Sequence, residues 1–228
     1  MMSSRFTQEK DLSRAVRVTW LGHAMFLLED GAGHRVVTDP YGEGVGYTLP
    51  QVEAGIVLVS HDHFDHAHVA GVKGNPQVVS DPAPRSLDGV EIEGFATYHD
   101  ESGGKERGPN IVFRFRLQGM TFVHLGDLGH MLPEEQQEEL RGADVLFVPV
   151  GGTFTVDDAG AAELVTALAP RIAIPMHFRN DACSFPILTE EPFLARFRNV
   201  ERAGKSPVYL SADDLPEPTL VLVLDYLS

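Results

Sequence analysis

A histidine-rich segment directly after an apolar run is the feature that most restricts the fold of this chain. Residues 56–59 (IVLV) form the apolar run, and residues 60–68 (SHDHFDHAH) follow it. Four of the ten histidines in the 228 residues lie between positions 61 and 68. Branched apolar residues in a short run predict a buried strand. The histidines therefore lie where a strand ends and the chain turns.

The residue types at positions 61–66 are those of a divalent metal site. Imidazole and carboxylate groups are ligands for zinc and similar ions. In an extended segment, residues two apart point the same way, so His61 and His63 can hold one ion together. Asp65 and His66 follow the bend and must face elsewhere, which suggests a second ion beside the first. A polar surface turn is the alternative, but it explains a single histidine better than it explains this spacing.

The H-x-H-x-D-H motif resembles that of the metallo-β-lactamase superfamily, and further segments resemble the other motifs of that family in the same order. These segments are residues 38–40 (TDP), 96–99 (ATYH), 125–127 (LGD) and 174–177 (IPMH). Residues 20–24 (WLGHA) and 150–155 (VGGTFT) resemble a branch of metal-dependent hydrolases related to ascorbate-6-phosphate lactonase. The resemblance implies a four-layer αββα sandwich of two mixed β-sheets with outer helices and the metals at one edge.

The resemblance also implies the identity of the metal ligands. A first ion would be held by His61, His63 and His99, a second by Asp65, His66 and His177, and Asp127 would bridge both. The sequence supports this set independently, because His99, Asp127 and His177 each follow a predicted strand, as His61 does. His99 could instead be an ordinary loop histidine, and Asp127 a turn former. Asp65 and Asp127 are predicted to serve catalysis as well as metal binding.

Two divalent ions ~3.5–4 Å apart bind a water between them and lower its pKa toward neutrality, which provides a hydroxide at pH 7. We therefore predict an enzyme that hydrolyses a small polar substrate, namely a phosphodiester, lactone, ester or amide. Zinc is the expected metal, with Mn²⁺ or Fe²⁺ as alternatives. Three other functions stay open: an RNase Z-like nuclease, a non-hydrolytic iron-dependent oxidoreductase, and a non-catalytic metal-binding or sensing protein.

Other polar residues are candidates for supporting roles. Asp39 is expected to accept a hydrogen bond from a ligand histidine, although an Asp-Pro turn would also explain it. His23 could bind or protonate substrate, or it could be a buried structural histidine. Arg179 could hold an anion through two hydrogen bonds, or it could be a surface charge. His130 could reach the pocket, whereas His124 is expected in the core or behind the ligands.

The charge of the chain limits its partners. With 33 acidic and 18 basic residues the net charge is −15, which argues against a nucleic-acid partner held through phosphate contacts. A small anionic substrate is compatible with this charge because a divalent metal supplies local positive charge. The single cysteine, Cys183, excludes an intrachain disulfide and a thiolate zinc site. The sequence has no signal-peptide core and no apolar stretch near the ~20 residues that span a bilayer, so we expect a cytoplasmic protein without a membrane partner.

Hydrophobic patterning predicts a loose lead-in over residues 1–14 and one domain over residues 15–228. The predicted strands lie near residues 16–20, 24–28, 36–38, 56–59, 77–79, 95–98, 111–117, 121–125, 145–150, 172–174 and 220–224. Helices are expected at 133–140, after Asp157 or Asp158, and at 192–200. Residues 40–55, which are rich in glycine and proline, predict a long functional loop. The strands run in two groups with helices after each, which suits two sheets packed face to face.

Overall fold

Two large mixed sheets form the framework of the computed structural model, which describes residues 6, 8, 10–183 and 185–227. The first sheet has the strand order β15 (Val208–Leu210), β1 (Val16–Gly22), β2 (Met25–Glu29), β3 (Arg35–Thr38), β5 (Ile56–Leu58) and β7 (Gln77–Val79). The second has the order β14 (Val200–Arg202), β16 (Leu220–Val223), β13 (Ile172–Met176), β12 (Val145–Pro149), β11 (Met120–His124), β10 (Pro109–Leu117), β9 (Val90–Tyr98) and β8 (Arg85–Leu87). A short pair joins β4 (Val52–Glu53) to β6 (Val72–Lys73).

The helices of the described residues are few and short. They are α1 (Glu134–Leu140), α2 (Asp158–Leu168) and α3 (Glu191–Leu194), with two 3₁₀ turns at Val69–Gly71 and Ala212–Asp214. Asp157 begins α2 by accepting a hydrogen bond from the Gly160 amide at 2.8 Å, as predicted. No helix in the described part of the chain has the length and apolar character needed to cross a membrane.

Two hairpins join neighbouring antiparallel strands, β2 with β3 and β10 with β11. In the turn between β2 and β3, the Asp30 carboxylate accepts hydrogen bonds from the amides of Ala32 and His34. Between β10 and β11, Gln118 and Gly119 both have positive φ angles, of 51° and 74°. Two residues with positive φ match the twist of a tight hairpin.

Strands β11, β12 and β13 are parallel neighbours, so their carboxyl ends meet at one edge of the second sheet. All five residues of β12 and of β13 are buried. Parallel strands that are covered on both faces have sequences that are continuously apolar. The same arrangement brings the segments that follow these strands to one place.

Aromatic side chains fill the space between the two sheets. Phe26 of the first sheet lies 4.3 Å from Phe147 of the second, measured between ring centroids. Phe122 stacks on Phe147 and on Phe115 in the same layer. These contacts hold the sheets face to face and confirm the predicted sandwich.

The helices lie with the second sheet, where α2 contacts β12, α1 and α3. Along the chain, helices follow both groups of strands as predicted, since α1 comes after β11 and α2 and α3 come after β12 and β13. The outer face of the first sheet is instead covered by loops, because Tyr41, Val45 and Tyr47 are apolar enough to pack against its strands. The Tyr41 hydroxyl donates a hydrogen bond to the Leu21 carbonyl at 2.7 Å, which fixes that loop.

Two predictions differ from the structure. The helix expected over residues 192–200 is limited to the single turn of α3, in which Phe193 and Leu194 are buried. It cannot extend to residue 200, because Val200 already pairs with Val221 in the sheet. The lead-in was expected to be loose, but Phe6 is buried in the core and Lys10 forms an ion pair with Asp214. Residues 1–5, 7 and 9 of that lead-in lie outside the described residues.

Candidate metal centre

The structure brings the seven predicted metal ligands together at one edge of the sandwich. His61 and His63 follow β5, His99 follows β9, Asp127 follows β11 and His177 follows β13. Asp65 and His66 lie in a turn in which the His66 amide donates to the His63 carbonyl at 2.9 Å. The strand ends converge because the parallel strands of both sheets carry their carboxyl ends to this edge.

Ligand atoms at this edge fall into groups in which all members lie within 4.8 Å of one another. One group consists of His61, His63 and His99, and another of His23, Asp65, His66 and His177. Asp127 forms a third group with His61 and His66 and so joins the first two.

A single oxygen of Asp127 lies at the centre of the cluster. Its Oδ2 is 3.2 Å from the Nε2 atoms of His66 and His99, 3.1 Å from that of His177 and 3.9 Å from that of His61. His99 and His61 belong to one proposed site, and His66 and His177 to the other. The carboxylate therefore lies between the two groups of imidazoles.

Several residues around the cluster have backbone conformations that residues other than glycine rarely adopt. His23, Asp39 and His177 have φ angles of 53°, 37° and 51°. Gly126 also has a positive φ, and a Cβ atom there would lie 2.4 Å from Asn110 Oδ1. Asn110 accepts a hydrogen bond from the Asp127 amide at 3.0 Å. Asn110 was missed from the sequence, although an amide side chain inside an apolar strand is a signal for such a role.

Asp39 connects two of the ligand histidines. Its Oδ2 accepts hydrogen bonds from His66 Nδ1 at 3.0 Å and from the Ser60 hydroxyl at 2.7 Å, and its Oδ1 accepts from the Ser60 amide. Because the Ser60 hydroxyl donates to Asp39, its oxygen accepts from His61 Nδ1 at 2.9 Å. Both histidines thus donate from Nδ1 and direct Nε2 into the cluster.

The residues present fit a metal ion. Buried polar atoms normally have hydrogen-bond partners. The buried atoms without a partner in the described part of the chain include His61 Nε2, His66 Nε2 and Asp127 Oδ1, which all face the cluster. Two imidazole nitrogens and a carboxylate oxygen are suitable ligand atoms for a divalent cation.

Burial and neighbouring charges set the protonation of the cluster. Burial lowers the pKa of His61 to about 3, so this imidazole is neutral and able to bind metal. Burial opposes charge on Asp127 too, but His177 and His66 outweigh it and hold the pKa of that carboxyl well below its usual range. Burial also opposes charge on His66, but Asp127 and Asp39 raise its pKa well above the ordinary value. A bound cation would replace the proton of His66, because metal ligation requires the free lone pair.

His23 lies behind the cluster and has no exposed surface. Its Nε2 donates to Asp65 Oδ2 at 3.2 Å, and its ring lies 4.1 Å from that of His177. Burial lowers the pKa of His23 to about 4. The side chain is therefore placed to orient Asp65, and it is shielded from solvent.

A cavity of about 560 Å³ opens above the cluster. Its described lining residues are Asp62, His63, Phe64, Asp65, His99, Arg107, Asp127, Phe154, His177, Phe185 and Pro186. Arg107 was missed from the sequence because it lies in a polar loop, residues 100–109, that has no motif. The floor of the cavity is polar, whereas its walls are largely aromatic.

The structure does not bring Arg179 to this cavity. The Arg179 amide bonds to the Leu188 carbonyl at 2.9 Å, and its side chain lines a separate cavity beside Trp20 and Tyr226. The chain turns away immediately after His177, which explains the difference from the prediction. His130 accepts a hydrogen bond from the Tyr98 amide and lines a neighbouring cavity.

Comparison with known proteins identifies the family. The model of the β-lactamase superfamily domain matches residues 17–177, which cover every ligand of the cluster. The chain belongs to the metallo-β-lactamase superfamily. Within it, a UPF0173 metal-dependent hydrolase of Pelotomaculum thermopropionicum is 30% identical over 223 residues, which cover 84% of this chain and 94% of that relative. This metallo-β-lactamase superfamily protein is thus a metal-dependent hydrolase of the UPF0173 branch.

Other relatives of this superfamily member agree. A UPF0173 metal-dependent hydrolase of Thermococcus kodakarensis is 29% identical over 205 residues, which cover 78% of this chain and 89% of that relative. A solved structure from Thermotoga maritima, named as a candidate Zn-dependent hydrolase of the same superfamily, has a TM-score of 0.77 and 37% identity. That match covers 93% of this chain and all of the other. The predicted family, fold and enzyme class are confirmed.

Proposed function

We propose that this hydrolase uses two divalent ions, with zinc as the natural metal, to cleave a small polar phosphodiester, lactone, ester or amide. The position of Asp127 Oδ2 carries the proposal, since it lies 3.2 Å from His99 Nε2 and 3.1 Å from His177 Nε2. A carboxylate oxygen between two groups of imidazoles is a suitable bridging ligand. The seven residues exceed what one tetrahedral ion can use.

The residues of the chain divide the work as follows. Bound divalent ions would supply an acidified water and polarise a carbonyl or phosphoryl oxygen. Asp39 and Ser60 bind the Nδ1 atoms of the His66 and His61 rings and so orient the Nε2 atom of each ring toward the cluster. His23 holds the Asp65 carboxylate in place by donating to its Oδ2. Pre-positioned ligands of this kind lower the cost of assembling a catalytic site.

The dimensions of the cavity and the charge of the chain support a small substrate. A volume of about 560 Å³ is in the range of small-molecule sites. Arg107 is the one arginine or lysine among the described lining residues, so the cavity lacks the basic stripe that tracks a nucleic-acid backbone. The net charge of −15 adds a long-range field that repels polyanions. We therefore favour a small, singly anionic substrate over RNA or DNA.

Metal analysis tests the two-ion proposal. Protein supplied with zinc, and separately with Mn²⁺ or Fe²⁺, is expected to contain two ions per chain by elemental analysis. His66→Ala should lose the second ion and keep the first, whereas Asp127→Asn should weaken both sites and suppress turnover. His34→Ala is the matched control, because His34 lies in the β2–β3 turn, where it bonds to Asp30. One ion in the wild type, with no change on His66→Ala, would refute the two-ion site.

A further inference from the structure

Aromatic side chains form the walls of the cavity above the metal cluster. Phe64 is 62% exposed, which is high for a phenylalanine, and its ring lies 6.4 Å from that of Phe185. Phe154 and Pro186 complete the apolar wall. Exposed apolar surface of this kind at a cavity points to a ligand that covers it.

Arg107 extends over this apolar wall. Its guanidinium carbon lies 5.6 Å from the centre of the Phe154 ring, in cation–π geometry. Among the described residues, the acidic partner of Arg107 is Glu106, whose carboxylate is 3.9 Å away. The Glu106 side chain is 67% exposed, so solvent weakens this pair. The charge of Arg107 therefore remains available to a ligand in the cavity.

The loop that carries Arg107 is held by one buried carboxylate. Asp100 accepts hydrogen bonds from the amides of Ser102, Gly104, Glu106 and Arg107, at 2.8 to 3.0 Å. The Arg107 backbone is thus fixed independently of its side chain. A change of that side chain should leave the loop in place.

We propose that Arg107 is the specificity-determining residue that binds the anionic group of the substrate, while Phe64, Phe154 and Phe185 receive its apolar part. The substrate class is then an amphiphilic compound that combines one carboxylate, phosphate or phosphonate group with an aryl or alkyl group. This inference rests on the proposed function, because the metal cluster forms the floor of the same cavity. Asp62 also lines the cavity and disfavours a second anionic group.

Binding of two matched probes to the zinc-loaded protein tests the proposal. Phenylphosphonate carries an anionic group on a ring, and its diethyl ester is the uncharged counterpart. We expect Arg107→Gln to weaken phenylphosphonate binding roughly 10–100-fold by calorimetry, the usual effect of losing charge-assisted hydrogen bonds. Binding of the diethyl ester should not change. The affinity of Arg107→Lys for phenylphosphonate should lie between those of the wild type and Arg107→Gln, because lysine keeps the charge and loses the planar guanidinium.

Arg179→Gln is the control, since Arg179 lines another cavity. This variant should bind both probes as the wild type does. Unchanged phenylphosphonate binding by Arg107→Gln, equal weakening of both probes, or no measurable phenylphosphonate binding by the wild type would each overturn the proposal. Metal content, measured on the same samples, separates this result from the proposed function. An Arg107-dependent anion site in a protein with a single ion would leave this inference standing and refute the two-ion mechanism.

Discussion

Replacing Asp39 with asparagine tests how the ligand histidines are held. The amide oxygen of asparagine can still accept from the Ser60 amide, which the carboxylate does at 2.7 Å. The amide nitrogen then takes the place of Oδ2 and donates where Oδ2 accepts. His66 must therefore accept at Nδ1 and carry its proton on Nε2, the atom that faces the cluster. The Ser60 hydroxyl is turned toward His61 in the same way, which protonates His61 Nε2 as well.

The expected magnitude follows from these contacts. Each histidine binds metal only after giving up its hydrogen bond to the altered pair. Loss of such an outer partner typically lowers metal affinity 10–100-fold, or roughly 1.4–2.7 kcal/mol per site. Asp39 reaches one histidine of each group, so we expect both sites to weaken. The fold should change little, because an amide of the same shape stays hydrogen-bonded in the same place.

Zinc competition with a chromophoric chelator measures the affinity, and thermal unfolding in excess chelator measures the fold. Asp30→Asn is the matched control, because Asp30 also accepts from backbone amides through Oδ1 and from a histidine Nδ1, of His34, through Oδ2. It lies outside the cluster and should leave zinc affinity unchanged. Unchanged affinity with reduced stability in Asp39→Asn would refute the reasoning and make Asp39 a turn former.

Three further outcomes are expected. Gly129→Ala should lower the melting temperature by roughly 5–10 °C, since its Cβ would lie 2.3 Å from the His99 carbonyl carbon. Gly55→Ala is the control, because a Cβ atom there would have no neighbour within 4 Å and the melting temperature should not change. Equal melting temperatures of the two variants would contradict this. The hydrogen bond that His34 donates to Asp30 raises the pKa of His34. The stability that the charged pair adds should therefore be complete below pH ~6.5 and disappear as the pH rises through the raised value. Urea unfolding of wild type and His34→Gln should show a larger difference at pH ~6 than at pH ~8.5, and equal differences would contradict this. Single-stranded RNA should not bind measurably at ~0.15 M salt, and a gel shift at micromolar protein with metal-dependent cleavage would favour a nuclease instead.

The sequence predicts the convergence of His61, His99, Asp127 and His177 because each follows a strand, and strand ends are set by local apolar patterns. His61 and His177 are examples, since short buried runs precede both. The sandwich follows in the same way from two groups of strands. Asp39 could also be proposed from its position in the TDP segment, and the structure places it beside His66 Nδ1.

Features that depend on contacts distant in sequence could not be predicted. Arg107 and Phe154 meet across 47 positions, and nothing in either segment encodes the meeting. Arg179 follows a ligand by two residues, yet its amide pairs with Leu188 and its side chain leaves the cavity. Closeness in sequence to a metal ligand is thus a poor guide to closeness in space. The short strands β8 and β14 were missed because each has two polar residues out of three and no buried side chain, which leaves no apolar pattern.

The loop layer over the first sheet limits where substitutions can change the substrate selectivity of this enzyme. Phe185 lines the cavity, while its neighbours Cys183 and Ile187 are buried against the strands. This segment is also interlocked with the 40–55 loop, where a Cβ atom at Gly46 would lie 2.2 Å from the Ala182 carbonyl oxygen. A substitution at Phe185 would therefore also disturb the packing of Cys183 and Ile187 against the strands. The loop over residues 100–109 is held mainly through Asp100, so a change of selectivity at Arg107 would carry a smaller penalty to folding than a change at Phe185.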